Sequence, residues 1–168
     1  MKPTVNNPRD LFFDQLNDIY SMEVQICRTM PRLVALCENE SLRELLEIHA
    51  QQNVVQITEI VEIFQRHDRT QGDDRCMAIT GLIEGGNAHL EAVEVPHTRD
   101  LMMIAHCLRI EYYEVAAYQI TIRLAGRLGT KHETEILSEL LEEERDMAHL
   151  LLKCEPELFN IANSKANA

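Results

Sequence analysis

Four stretches of this chain place apolar residues in alternating steps of three and four, and each is broken by polar groups near its middle. The first reads Phe12, Leu16, Ile19, Glu23, Ile26, Met30, Leu33 and Cys37. The second reads Leu42, Leu46, His49, Asn53, Gln56, Ile60 and Ile63. The third reads Leu101, Ile104, Leu108, Glu111, Val115, Tyr118 and Ile122, and the fourth Leu137, Leu140, Glu144, Met147, Leu151 and Cys154. Steps of three and four keep side chains on one side of an α-helix, the spacing of a bundle seam. Four such helices predict an all-α fold, a four-helix bundle. Composition agrees: only 6 glycines and 5 prolines occur in 168 residues, and hydrophobic residues make up 45%, enough for a sizeable core.

The punctuation between the stretches sets the expected boundaries. Asn7, Pro8 and Asp10 suit the start of the first helix, and Pro31 is expected to kink it late. Ser41-x-x-Glu44 reads as a capping box for the second helix after a short turn, which makes the two helices antiparallel neighbours. Residues 67–75 are a polar loop. Cys76 to about Leu90 predicts a short fifth helix, weakened by Gly81, Gly85 and Gly86. This connection of roughly thirty residues far exceeds an ordinary loop and is long enough to cross back along the bundle. Thr98 is the expected cap of the third long helix and Gly129 its end. Thr130-x-x-Glu133 reads as another capping box, and Pro156 as the end of the fourth helix. The chain is thus expected to form a single domain over residues 1–159, with a flexible C-terminal tail over 160–168.

Net charge is −12, and the lysines and arginines are dispersed rather than striped. That argues against direct binding to nucleic acid or to an anionic membrane. No apolar run approaches membrane-spanning length and the N-terminus has no apolar leader, so a cytoplasmic location is expected. The five cysteines are odd in number, widely spaced and free of C-x-x-C, which suits reduced, packed thiols.

The midpoints of antiparallel helices share a layer, so Glu23, His49, Glu111 and Glu144 should meet. Glutamates converging on a dry layer cannot all ionise without a counter-charge. Shared protons, buried arginine or metal ions would each resolve the conflict. Carboxylates with an imidazole suit iron or manganese. Glu114 completes a Glu-x-x-Glu with Glu111, and Gln52 borders the polar face of the second helix. Plainer readings exist for each residue. A lone seam histidine is often a hydrogen-bonded core residue, Glu114 can face a neighbouring helix or solvent, and Glu142-Glu143-Glu144 is first of all a charged, solvated run. Tyr112, Tyr113 and Tyr118 read as core or interface aromatics.

The stretches D-L-F-F-D-Q-L-N-D-I-Y-S-M-E, His49 to Gln56, C-M-A-I-T-G-L-I-E, R-I-E-Y-Y-E-V-A-A-Y and L-L-E-E-E-R-D together resemble the YciE/YciF-like family of ferritin-like, stress-associated bacterial proteins. The resemblance covers about Asn7 to Lys153. It implies a ferritin-like bundle with a short crossover helix, a homodimer, and a dinuclear centre of iron, or of iron with manganese, that handles dioxygen or peroxide. Glu23, His49, Glu111, Glu114 and Glu144 match the family's residue types. The family's H-x-E-E-T is here His49-Ala-Gln-Gln-Asn, so Gln51 and Gln52 replace carboxylates. Tyr112 stands where the family often has histidine, and Ala148 where it has aspartate. Fewer anionic ligands weaken a metal pair, which opens a second reading: a non-enzymatic dimer that has kept the scaffold and holds no metal. The substrate is left open. Ile48, Val54, Val55, Val61, Leu150 and Leu152 lie partly off the seams, where they would pack under the short helix or form a dimer interface.

Overall fold

A computed structural model describes residues 4–166 of the chain. It contains five α-helices: α1 (Pro8–Leu36), α2 (Glu40–Arg66), α3 (Met77–Glu91), α4 (Pro96–Leu128) and α5 (Lys131–Ala166). The four long helices form the expected bundle, and α3 is the expected short one. α1 packs against α2 and α4, and α5 packs against α4 and α2, so each long helix has two bundle neighbours. α3 lies on α4 and α1. Phe12, Leu16, Ile19, Leu46, Ile60, Met103, Leu137 and Leu151 are among the fully buried core residues.

Several helix ends differ from expectation, each for a visible reason. Asn7 caps α1 as expected, its Oδ1 accepting from the amides of Arg9 and Asp10 at 2.9 Å. α1 runs through Pro31 to Leu36. For α2 the cap is Asn39, not Ser41. The buried carboxylate of Asp100 on α4 accepts from the amides of Glu38 and Asn39 at 3.0 and 2.9 Å. That fixes the turn early, and Asn39 Oδ1 then accepts from Leu42 N at 2.9 Å. α4 begins at Pro96, two residues before Thr98, because proline's fixed φ already suits the first helical position. Gly129 ends α4 with φ of 75°, the left-handed conformation glycine adopts cheaply. The Thr130-x-x-Glu133 box is not formed. Thr130 donates its hydroxyl to the Ala125 carbonyl, and Glu133 lies 3.1 Å from His67.

Pro156 does not close the last helix. α5 continues to Ala166 and takes in most of the segment expected to fray; residues 167–168 lie outside the described residues. Beyond Pro156, Leu158 and Ala162 are buried. Burying one leucine contributes roughly 1.5–3 kcal/mol, comparable with the cost of a proline inside a helix.

α4 is also buried over a wider arc than one seam. Met103, Cys107, Ile110, Glu114, Thr121 and Ala125 are buried alongside Ile104, Glu111 and Tyr118. Leu101, Leu108, Val115 and Ile122 of the expected seam are only half-buried. The cause is three-sided coverage by α1, α5 and α3. Of the off-seam apolar residues, Ile48, Val54, Val55, Leu150 and Leu152 are exposed, so they are not covered by α3.

Candidate metal centre

Bundle packing brings the polar midpoints together, and more of them than the seams alone define. His49 on α2, Glu111 and Glu114 on α4, and Glu144 on α5 are all buried. One ligand atom from each lies within 4.8 Å of the others. Glu114 is as central as Glu111. His49 Nε2 sits 3.3 Å from Glu111 Oε1. Among the described residues no arginine or lysine forms an ion pair with this group, so the buried-arginine solution is not the one adopted.

Glu23, on α1, belongs to the same layer but is held differently. Tyr118 donates its hydroxyl to Glu23 Oε1 at 2.7 Å, and Asn53 Nδ2 donates to Glu23 Oε2 at 3.0 Å. Asn53 also donates to Gln56 Oε1 at 3.1 Å. Gln56 in turn donates from Nε2 to Glu144 Oε1 and, at 2.9 Å, to Glu143 Oε2. Glu23 and one oxygen of Glu144 are therefore oriented by neutral side chains. Gln52 is half-buried beside His49, to which it hydrogen-bonds, and is not one of the four converging groups.

The remaining atoms lack such support. Glu111 Oε2, both oxygens of Glu114, Glu144 Oε2 and His49 Nε2 are buried with no hydrogen-bond partner. Burial, partly offset by the bonds from Tyr118 and Asn53, raises the Glu23 carboxyl to about 7. Burial raises Glu111 to about 8. Glu114 is pushed well above the usual carboxylate range by burial and by the facing charges of Glu144, Glu23 and Glu111. Glu144 is raised likewise, by burial first and then by Glu23 and Glu111. Burial also holds His49 neutral, down to about 4. The carboxyls of Glu23, Glu111, Glu114 and Glu144 face one another closely enough to repel, so they cannot all ionise without a proton or a cation among them.

Such a layer has two stable electrostatic states: protonated, or compensated by cations. The donor set fits a cation. Three carboxylates and a neutral imidazole match the hard and borderline preferences of iron and manganese, and the unpartnered oxygens are what an ion would engage. His49, Glu111, Glu114 and Glu144 suit a single ion. A second would draw Glu23 away from Tyr118 and Asn53 and would find a neutral amide at Gln52.

A family profile described as "Domain of unknown function (DUF892)" matches residues 7–164. The chain belongs to the DUF892 family. The chain is 33% identical to Protein YciF of Escherichia coli strain K12 over 137 residues, covering 81% of this chain and 82% of that protein. It superposes on the crystal structure of the E. coli stress protein YciF with a TM-score of 0.89 and 30% identity, covering 93% of this chain and 99% of that one. YcfI from Rhodopseudomonas palustris, described as a structural protein, matches with a TM-score of 0.86 and 26% identity, over 90% and 96% of the two chains. These matches agree with the all-α, ferritin-like bundle and with the YciF resemblance in the sequence.

The seams pointed to Glu23, His49, Glu111 and Glu144; the structure brings the last three within 4.8 Å of one another together with Glu114, and holds Glu23 beside them on Tyr118 and Asn53. Sequence reasoning underweighted Glu114, Gln56 and Tyr118. A signal for Glu114 exists in a second stripe on the same helix, Met103, Cys107, Ile110, Glu114, Thr121 and Ala125, spaced by threes and fours except for one two-turn step of seven.

Proposed function

We propose that this DUF892 member binds iron or manganese in its buried layer and uses it on dioxygen or peroxide as part of a stress response. The supporting observation is the convergence of His49, Glu111, Glu114 and Glu144 within 4.8 Å with buried oxygens unpartnered. The stress role follows the description of the E. coli relative as a stress protein.

In this reading His49 and the three glutamates hold the ion, which supplies redox chemistry when bound. Burial of His49 keeps its ring nitrogen unprotonated and available as a ligand. Gln56 fixes one Glu144 oxygen and leaves the other free. Tyr118 and Asn53 hold Glu23 at the edge, where its proton or charge balances the ion. The surrounding apolar residues exclude water from the layer. One ion per chain is the stoichiometry this arrangement favours, and a di-iron or mixed iron–manganese pair is the alternative that recruits Glu23.

Anaerobic titration of chelator-stripped protein with Fe(II), and separately with Mn(II), tests the proposal, together with anomalous diffraction at the metal edge. We expect saturable binding that His49→Ala and Glu144→Ala each abolish. Absence of stoichiometric binding by the unaltered protein would overturn it.

A second reading has its own support. Glu23 is fully hydrogen-bonded by neutral side chains, and the R. palustris neighbour is described as a structural protein. In that reading the layer is held by protons and the protein is a metal-free scaffold. Protein purified without chelator that carries no metal, and whose melting temperature ignores chelator, would favour it.

We also propose a homodimer. Ile48, Val54 and Val55 on α2, with Leu150 and Leu152 on α5, supply exposed apolar area for it. Sedimentation equilibrium at micromolar concentration should give twice the chain mass; a monomer would refute it.

A further inference from the structure

A small cavity adjoins the converging group. Ile26 and Leu33 on α1 and Cys107 and Ile110 on α4 wall it, and His49 and Glu111, two of the four converging residues, complete the lining. The centre of a water-sized sphere can move through about 10 Å³ of it, room for one small molecule. No polar atom of the lining faces it, so His49 and Glu111 present carbon to it. A buried water needs two or more polar partners, and here it would find none. The cavity is therefore dry.

Thr29, half-buried on α1, borders this cavity and also lines an open groove of about 570 Å³. That groove runs between α1, residues 72–75 and the first half of α3. Thr29 donates its hydroxyl to the Gln25 carbonyl at 3.0 Å, which takes that donor out of the opening. The solvent-facing groove and the dry cavity thus share one side chain. Protein interiors pack to the density of organic crystals, and a void costs stability that a larger side chain would restore. A void kept against two of the four converging residues, with a neighbour open to solvent, points to an occupant.

We propose that the cavity is a docking site for dioxygen, entered from the groove past Thr29, and that it selects dioxygen over hydrogen peroxide for the buried layer. The inference rests on the reading of the layer as a metal site and narrows its oxidant to one. Dioxygen is small and apolar, so its transfer from water into an apolar void is favourable. Hydrogen peroxide brings two hydroxyl groups whose bonds to water would be broken and not replaced, which burial penalises. The same penalty keeps water out, so dioxygen meets no competitor there.

Nuclear magnetic resonance of chelator-stripped protein under a few bar of dioxygen tests this with no metal bound. Failure of metal binding and failure of this proposal are therefore read separately. Dioxygen is paramagnetic and speeds the relaxation of nearby methyl groups. We expect severalfold greater enhancement at Ile26, Leu33 and Ile110 than at Leu16 and Ile60, which are as deeply buried and do not line the cavity. Cys107→Leu, which fills the cavity, should bring the two sets level. Ile110→Val, which widens it and keeps the core apolar, should raise the enhancement at Ile26 and Leu33. Thr29→Phe should slow exchange of xenon between solvent and cavity severalfold, read by magnetisation transfer. Equal enhancement of the two sets in the unaltered protein, or an ordered water in the cavity of a metal-free crystal, overturns the choice of dioxygen. Unslowed exchange in Thr29→Phe overturns the route.

Discussion

Glu114 carries the sharpest conflict in the molecule, since both of its carboxyl oxygens are buried and unpartnered. Glu23, on the same layer, accepts two hydrogen bonds and is far better accommodated. The two residues should therefore answer differently to the same change. Glu114→Gln removes an ionisable group whose proton the fold must otherwise retain. Its effect on metal-free protein should be a gain of about 1–3 kcal/mol near pH 8, measured by urea denaturation in chelator. The same substitution should weaken Fe(II) or Mn(II) binding by more than roughly tenfold, since it removes a ligand rather than an outer partner. A loss of stability in Glu114→Gln would mean that its carboxyl has a donor, against the geometry described above. At this scale the sequence was legible wherever one residue broke one seam, as at Glu111. It was less legible at Glu114, because a single stripe was read on a helix that buries two.

Among the elements, α3 is the one whose seating depends on a single small residue. A Cβ built on Gly86 would lie 1.9 Å from His106 Nδ1 on α4, so α3 can approach α4 only while residue 86 has no side chain. Gly86 therefore reads as a contact point, where sequence alone suggested only a weak helix former. Gly86→Ala should destabilise the protein by about 1–3 kcal/mol, the usual cost of overpacking, and should raise amide exchange chiefly within α3. Adding His106→Ala should restore much of the protection, because it vacates the clashing volume. Caps show a similar limit. Ser41-x-x-Glu44 and Thr130-x-x-Glu133 both satisfy a local pattern, yet distant groups override them. Asp100 holds the α1–α2 turn from α4, and Glu133 turns to His67 on α2. Pro156 was outvoted in the same way by the burial of Leu158 and Ala162. Local rules placed the helices; long-range contacts set their ends.

For the whole molecule, proton balance gives a bulk signature. Glu23 and Glu111 keep their protons to about 7 and about 8 in the folded state, against an ordinary value of 4.5. Unfolding metal-free protein in that range releases protons, so stability falls as pH rises toward 8. His49 and His106 work in the opposite sense, being neutral in the fold down to about 4, but only below 6.5. Between pH 6.5 and 8 the carboxyl contribution stands alone. Glu23 and Glu111 by themselves should cost metal-free protein about 1–3 kcal/mol across that window, at up to about 1.4 kcal/mol per pH unit for each retained proton. Metal displaces those protons, so metal-loaded protein should show a flat or rising profile, and loading should release protons measurable in weakly buffered solution. A metal-free profile that rises over the window would show that the carboxyls are ionised in the fold. The bundle itself was legible because four seams with short turns admit few packings. The chemistry was only half legible: the polar middle of the second stripe marks Asn53 and Gln56, but their bonds to Glu23 and Glu144, and that of Tyr118 to Glu23, emerge only once the helices are packed.

The loop before α3 joins two halves of the buried layer. Residues 68–74 separate α1 and α2, which carry Glu23 and His49, from α4 and α5, which carry Glu111, Glu114 and Glu144. Each half would expose its share of the layer to water if it stood alone. The loop is stitched to α1 by Gly72 N to Asn17, at 2.8 Å, and by Arg75 to Gln25, at 3.0 Å. The molecule is thus built as two complementary pieces joined by a replaceable tether. A single proteolytic nick within residues 68–71 should leave both fragments co-eluting with full helical content. Separately expressed halves should reassemble, with added metal acting as the clasp.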